Sequence, residues 1–242
     1  MAAHGAVPGL DPDRLEFARS ALQKSALFRV LSPARLEAVA RALRPVRYGH
    51  GQVVFSQGDD GEALYLVESG AVKIFAQSID GREAIIGEVR AGETFGELVL
   101  VDGAPRSATA TAVEETVLLR LPREAFNDLL EEDAAFRQSV LGALAHELRR
   151  ATSYLGELHF LDLCGRIASR LAQVARTADP SPTGEIRLPG PRSQTDLASM
   201  VGGSRQRVNV HLGELVDSGL IRLEGREIVI LDLPALERRG QW

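Results

Sequence analysis

From Arg47 to Leu121 the chain is cut into short runs of Val, Ile, Leu, Phe and Tyr by glycines at positions 49, 51, 58, 61, 70, 81, 87, 92, 96 and 103. An interior glycine costs a helix about 1 kcal/mol relative to alanine, whereas at the ends of short apolar runs it supplies tight turns. This stretch therefore predicts strands and turns closed into a β-sandwich or β-barrel. On either side the texture is helical. Residues 11 to about 44 carry apolar side chains at helical spacing, with Ser32 and Pro33 as cap and first-turn residues of a second short helix. After Pro122 helical periodicity runs to about residue 176.

Within that second helical stretch Leu141, Leu144, Leu148, Ala151, Leu155 and Leu158 recur at alternating steps of three and four, the seam that two helices need for knobs-into-holes packing. Phe136, Val140 and Ala143 lie off the seam and are expected to cover the β domain. The leucine line is then left for another subunit, which predicts a parallel homodimer. The expected class is α+β: residues 1–133 form N-terminal helices and a β-roll (jelly roll), 134–160 a long dimerisation helix, and 161–242 a C-terminal domain.

The C-terminal segment reads as a winged helix-turn-helix. Ser193 with Asp196 three residues on resembles a capping box for a helix to about Met200. Gly202 and Gly203 make a tight turn, Ser204 caps a helix from Arg205 to Val216, and LIRLE and EIVIL around Gly225 form a hairpin wing. Residues 177 to 193 are rich in Pro, Gly and Ser around a short strand-like EIRL and read as a connection inside this domain. The whole chain of 242 residues has a net charge of −5, which argues against a protein that coats nucleic acid. Residues 160 to 242 hold 11 Arg and no Lys against 10 Asp and Glu, a net of +1, so DNA binding has to come from a local patch. In the first turns of the helix after Ser204, Arg205 is expected to fork onto guanine O6 and N7, and Gln206 to read adenine or a neighbouring edge. Ser193, Ser204 and Arg207 are better placed for phosphates, and Asn209 lies on the same turns.

The segment GETFGELVLVDGAPRSATATA, residues 92 to 112, carries the other chemistry. Gly96, Glu97 and Leu98 can form a turn whose N–H groups face an anion. Arg106 supplies a guanidinium that forks onto phosphate oxygens, and Ser107 adds donors. A carboxylate beside a phosphate makes sense when it accepts from a sugar hydroxyl, so Glu97 with Arg106 implies a nucleotide.

GRE, the FGEL turn, PRSAT, FLDLCGRIA and SRQRVN together resemble the cyclic-AMP receptor protein and fumarate–nitrate-reductase regulator family over about residues 28 to 232. The resemblance implies a homodimeric, cytoplasmic transcription regulator that responds to cyclic AMP, binds double-stranded DNA at a two-fold symmetric site, works with RNA polymerase and is not an enzyme. It places Gly96, Glu97, Leu98, Arg106 and Ser107 in a phosphate-binding cassette, with Glu97 on the ribose and Arg106 on the cyclic phosphate. Ile74, Ile86 and Val89 would line the base pocket. The family activator has two adjacent hydroxyl residues on the long helix that meet the adenine amine; here they are Ala151 and Thr152, so only Thr152 can do so. Glu147 stands where the activator has an arginine, and Val210 where it has a further DNA-reading arginine. These departures imply an alternative, a regulator of the same fold that acts without an effector or with cyclic GMP or a cyclic dinucleotide.

No apolar run approaches the roughly 20 residues that cross a bilayer, so no membrane association is expected. The single cysteine, Cys164, excludes an iron–sulfur cluster or a structural zinc site built from several thiolates of one chain. It shares a helical stripe with Ile167, Leu171 and Val174 and reads as a core residue. The histidines at 4, 50, 146, 159 and 211 are scattered, and no metal is expected from their spacing.

Overall fold

The computed structural model describes residues 10–178, 184–188, 194–225 and 227–241. The chain forms two compact units, Met1–Glu147 and Leu148–Trp242.

The first unit opens with α1 (Pro12–Lys24) and α2 (Pro33–Ala42). Each starts at a proline behind a capping side chain: Asp11 accepts from the Arg14 N–H and Ser32 from the Arg35 N–H. The glycine-punctuated stretch then folds as expected into strands β1 (Arg44–Tyr48), β2 (Val53–Phe55), β3 (Ala63–Ser69), β4 (Ala71–Gln77), β5 (Glu83–Arg90), β6 (Thr94–Phe95), β7 (Thr109–Ala112) and β8 (Thr116–Pro122). They form two four-stranded antiparallel sheets in the orders β1-β8-β3-β6 and β2-β7-β4-β5. A one-turn helix, α3 (Leu98–Asp102), interrupts the strands just after Gly96 and Glu97, where the sequence had suggested only a turn.

After β8 come α4 (Arg123–Glu132) and α5 (Ala134–Phe160). Phe136 and Val140 are buried, as the off-seam pattern predicts, and Ala143 packs against the same core. The Phe136 ring sits 5.4 Å from both Phe28 and Phe126, which joins α5 to the helices of this unit. Burial of such a ring contributes about 1.5–3 kcal/mol. Leu144, assigned by spacing to the outward seam, also packs partly on this core. The other seam leucines stay outside: Leu141, Leu148 and Leu155 are 60%, 70% and 64% exposed.

In the second unit a break at Leu161 and Asp162 separates α5 from α6 (Leu163–Ala178), with the Asp162 carboxylate accepting from the Gly165 N–H. Strand β9 (Ile186–Leu188) pairs with β11 (Glu227–Ile230), which pairs with β10 (Ile221–Glu224). Between them lie α7 (Gln194–Val201) and α8 (Arg205–Asp217), and α9 (Leu233–Arg239) closes the chain. Cys164, Ile167, Leu171, Leu197, Val208, Leu212 and Leu215 share one core, with Val174 at its margin. The seven-residue α9 was not read from the sequence; its Asp232 cap and N-terminal proline are the signals that announce it.

Candidate nucleotide and nucleic-acid sites

In the first unit sheet register gathers three aromatic rings. Tyr65 on β3 pairs across the ladder with Phe95 on β6, and Phe55 on β2 faces both from the other sheet, with centroid separations of 5.4, 5.9 and 6.0 Å. Arg106 lies over this bed, its guanidinium carbon 4.0 Å from the Phe55 centroid and 5.9 Å from that of Tyr65. The arginine backbone is pinned as well: its N–H donates to the Asp59 carbonyl, and its carbonyl accepts from the Gly58 N–H.

Arg106 is only 5% exposed. Its two terminal nitrogens donate to main-chain carbonyls, Nη1 to Gly96 and Nη2 to Ala63, each at 2.7 Å. Its Nε has no partner. A buried N–H of a charged group left without an acceptor is costly, and an anion approaching this edge would complete it. Burial also holds the guanidinium below its ordinary pKa. Two glycines make room. A Cβ at Gly61 would lie 2.6 Å from Arg106 Nε, and one at Gly96, where φ is +81°, would lie 2.7 Å from Nη1.

Next to Gly96, Glu97 precedes α3 without capping it, and Leu98 opens that helix. Burial raises the Glu97 carboxyl above its ordinary pKa, and repulsion from Glu147 adds to the shift while Arg106 opposes it. Ser107 is exposed beside the buried arginine. Ile74 and Val89 pack on the inner cluster that contains Phe55, Tyr65 and Phe95. Ile86 does not join them: it sits at the β4–β5 irregularity and is 49% exposed. An extra residue in one strand turns its neighbour away from the inner face, so the position that the resemblance implied for the base pocket lies outside this cluster. Thr152 belongs to the second unit, where its hydroxyl donates to the Leu148 carbonyl on the preceding turn.

The aromatic bed, Gly61 and the Ala63 carbonyl were not picked out from the sequence. A glycine two positions before a run of apolar strand residues is the faint signal that was present.

The second unit presents α8 as expected. Ser204 caps it by accepting from the Arg207 N–H, and Gly202 with φ +67° turns the chain out of α7. Val208, Leu212 and Leu215 face inward. Arg205, Gln206, Arg207 and Asn209 are each exposed, as is Ser204, in the first turns of α8 and at its cap. Val210, 58% exposed, lies beside them. On the neighbouring sheet Arg187 and Arg222 are paired with Glu185, Glu224 and Glu227, which neutralises much of the wing. Ser193 lies outside the described residues.

Residues 45–133 match the cyclic nucleotide-binding domain, and residues 165–239 match the Crp-like helix-turn-helix domain. The chain is 33% identical over 220 residues to a CRP-like cAMP-activated global transcriptional regulator of Mycobacterium tuberculosis, covering 91% of this chain and 98% of that one. It is 33% identical over 216 residues to the cyclic AMP receptor protein of Thermus thermophilus, covering 89% and 97%. Among solved structures, the c-di-GMP responsive global regulator CLP of Xanthomonas campestris matches with a TM-score of 0.69 at 26% identity, covering 83% of this chain and 100% of that one. A roll carrying a buried arginine and a helix-turn-helix with an exposed polar face, matched by these relatives along nearly their full length, place the chain in the cyclic-AMP receptor protein and fumarate–nitrate-reductase regulator family of DNA-binding transcription regulators.

Proposed function

We propose that this regulator is a cytoplasmic, non-enzymatic homodimer that senses cyclic AMP and passes the signal to DNA and RNA polymerase. The observation that carries the sensing half is the buried Arg106 with its unpartnered Nε over Phe55 and Tyr65. In this reading Arg106 and Ser107 hold the cyclic phosphate, with the amides after Gly96 adding donors up to Leu98. Glu97 accepts from the ribose hydroxyl, and Ile74 and Val89 line the base, with Ile86 at the margin. Thr152 meets the exocyclic amine. The exposed seam of residues 134–160 pairs the subunits, and the ligand favours one arrangement of that pair over another.

The names of the relatives support cyclic AMP, and Glu147 and Ala151 are the features that favour a different effector. Isothermal calorimetry with cyclic AMP, cyclic GMP and cyclic di-GMP decides between them. Cyclic AMP is expected to bind at micromolar concentration or better and cyclic GMP much more weakly. Heat from either guanine nucleotide alone replaces the effector, and no heat from any of the three makes the protein a DNA binder that needs none.

For the DNA half, Arg205 is assigned to a guanine edge, Gln206 and Asn209 to neighbouring edges, and Ser193, Ser204 and Arg207 to phosphates. Arg205→Ala is expected to cost about 1–3 kcal/mol of discrimination at one symmetric base pair while leaving the dimer intact. Site selection from a random DNA pool reads this directly, and an unaltered preference at every position would remove the assignment.

A further inference from the structure

The second unit brings together three side chains that no nucleotide or DNA role uses. Cys164 near the start of α6, and His211 and Glu214 on α8, place one ligand atom each within 4.8 Å of one another. His211 Nδ1 already lies 2.8 Å from Glu214 Oε2, the i,i+3 spacing that puts both on one helix face. Cys164 is 4% exposed, His211 half-buried and Glu214 exposed, so the cluster runs from the core to the surface. We propose that Cys164, His211 and Glu214 form a binding site for a thiophilic divalent cation of the zinc class, which ties α8 to α6.

The ligand set suits such an ion on several grounds. Thiolate and imidazole select zinc over the hard cations magnesium and calcium, which prefer oxygen. Zinc bonds of about 2.3 Å to sulfur and about 2.0–2.2 Å to nitrogen and oxygen put tetrahedral ligand atoms about 3.3–3.7 Å apart. From separations of at most 4.8 Å the sulfur has to come closer to the other ligand atoms by no more than about 1.5 Å, while the His211 Nδ1–Glu214 Oε2 pair, now 2.8 Å apart, opens by about 0.5 Å. Rotation of the Glu214 and His211 side chains toward the fixed sulfur suffices, because both are accessible at the surface while the cysteine is held by the core. A thiolate and a carboxylate together cancel the charge of the ion. Among the described residues Arg239 is a cation that interacts with Cys164, and it is also paired through Nη2 with both oxygens of Asp162 at 2.9 and 2.8 Å, so much of its charge is compensated. The fourth position opens toward solvent on the side of Glu214 and is left for water.

The cysteine comes from one helix and the other two ligands from another, so the ion links separate elements. Binding it fixes α8, whose exposed face holds Arg205, Gln206 and Asn209, against α6. The thiol proton leaves on binding, as metal ligation by cysteine requires.

The test is a titration of the reduced, tag-free full-length chain with Co2+, followed by Zn2+. One Co2+ per chain is expected, with a thiolate-to-cobalt charge-transfer band that Zn2+ removes. Cys164→Ser should abolish the band. His211→Gln and Glu214→Gln should each weaken binding at least about tenfold, since even the loss of a residue supporting a ligand costs that much. Arg106→Ala should leave the band unchanged, which keeps the result independent of the nucleotide reading. A wild-type chain without the band, a band that survives Cys164→Ser, or unaltered affinity in both other variants would overturn the site. If the buried Cys164→Ser chain fails to fold by circular dichroism, the two surface variants decide the matter alone.

Discussion

Arg106→Ala is expected to reduce cyclic-nucleotide affinity by about 30-fold to several thousand-fold, the range that follows from about 2–5 kcal/mol for truncating one side of a buried, hydrogen-bonded charge pair. The guanidinium is aimed by three independent contacts: the Gly96 carbonyl, the Ala63 carbonyl and the face of Phe55. An arginine so held gives up no rotamer freedom when the ligand arrives, so its contribution is unusually complete. The substitution also leaves two carbonyls without their donor, at about 1 kcal/mol each, while it relieves the burial of a charge. The fold should therefore survive with a modest change in melting temperature. Arg106→Lys refines the result. An ammonium is a single compact donor centre without the planar fork that holds separate N–H groups on the two carbonyls and toward an anion, so it is expected to recover little of the loss. Calorimetry of both variants against wild type checks this, and affinity within twofold of wild type for the alanine variant would refute it.

Leu148→Asp is expected to convert the proposed dimer into monomers. Leu148 is 70% exposed on the chain and Leu155, one heptad on, is 64% exposed, a degree of apolar exposure that single chains rarely sustain along one line. Burying a leucine contributes about 1.5–3 kcal/mol, and in a two-fold interface each substitution acts twice. In the proposed parallel dimer the two introduced carboxylates would also face each other across the seam. Dissociation should rise at least about 100-fold, since the doubled loss is about 3 kcal/mol or more. Sedimentation velocity reads the association state, and circular dichroism should stay unchanged because the side chain is outside the core. The monomer should bind a two-fold DNA site far more weakly than wild type, having lost the second half-site contact. A dimer that persists at the wild-type concentration range would show that the seam is not the interface.

The leucine line is legible in sequence because helix periodicity is local: residues three and four apart share a face whatever the rest of the chain does. For the same reason the off-seam positions Phe136 and Val140 were placed correctly in the core. Leu144 departs from this local rule. It satisfies the seam spacing and yet packs partly on the first unit's core, because the width of the buried stripe depends on what lies against the helix.

The amino-acid sequence by itself determined the succession of helical and strand-rich stretches, the capped starts at Ser32 and Ser204, the glycine turns and the inward face of α8. Each depends on conformational preferences acting within a turn or two of chain. Only the tertiary structure decided that Arg106 rests on Phe55 and Tyr65 with Nε unpaired, that Ile86 leaves the inner face while Ile74 and Val89 stay, and that Cys164 meets His211 and Glu214. Those outcomes follow from sheet register, a local irregularity between β4 and β5, and the packing of α6 on α8, all of them contacts between residues far apart in the chain. Local preference carries no information about which distant side chain will be met, and packing does.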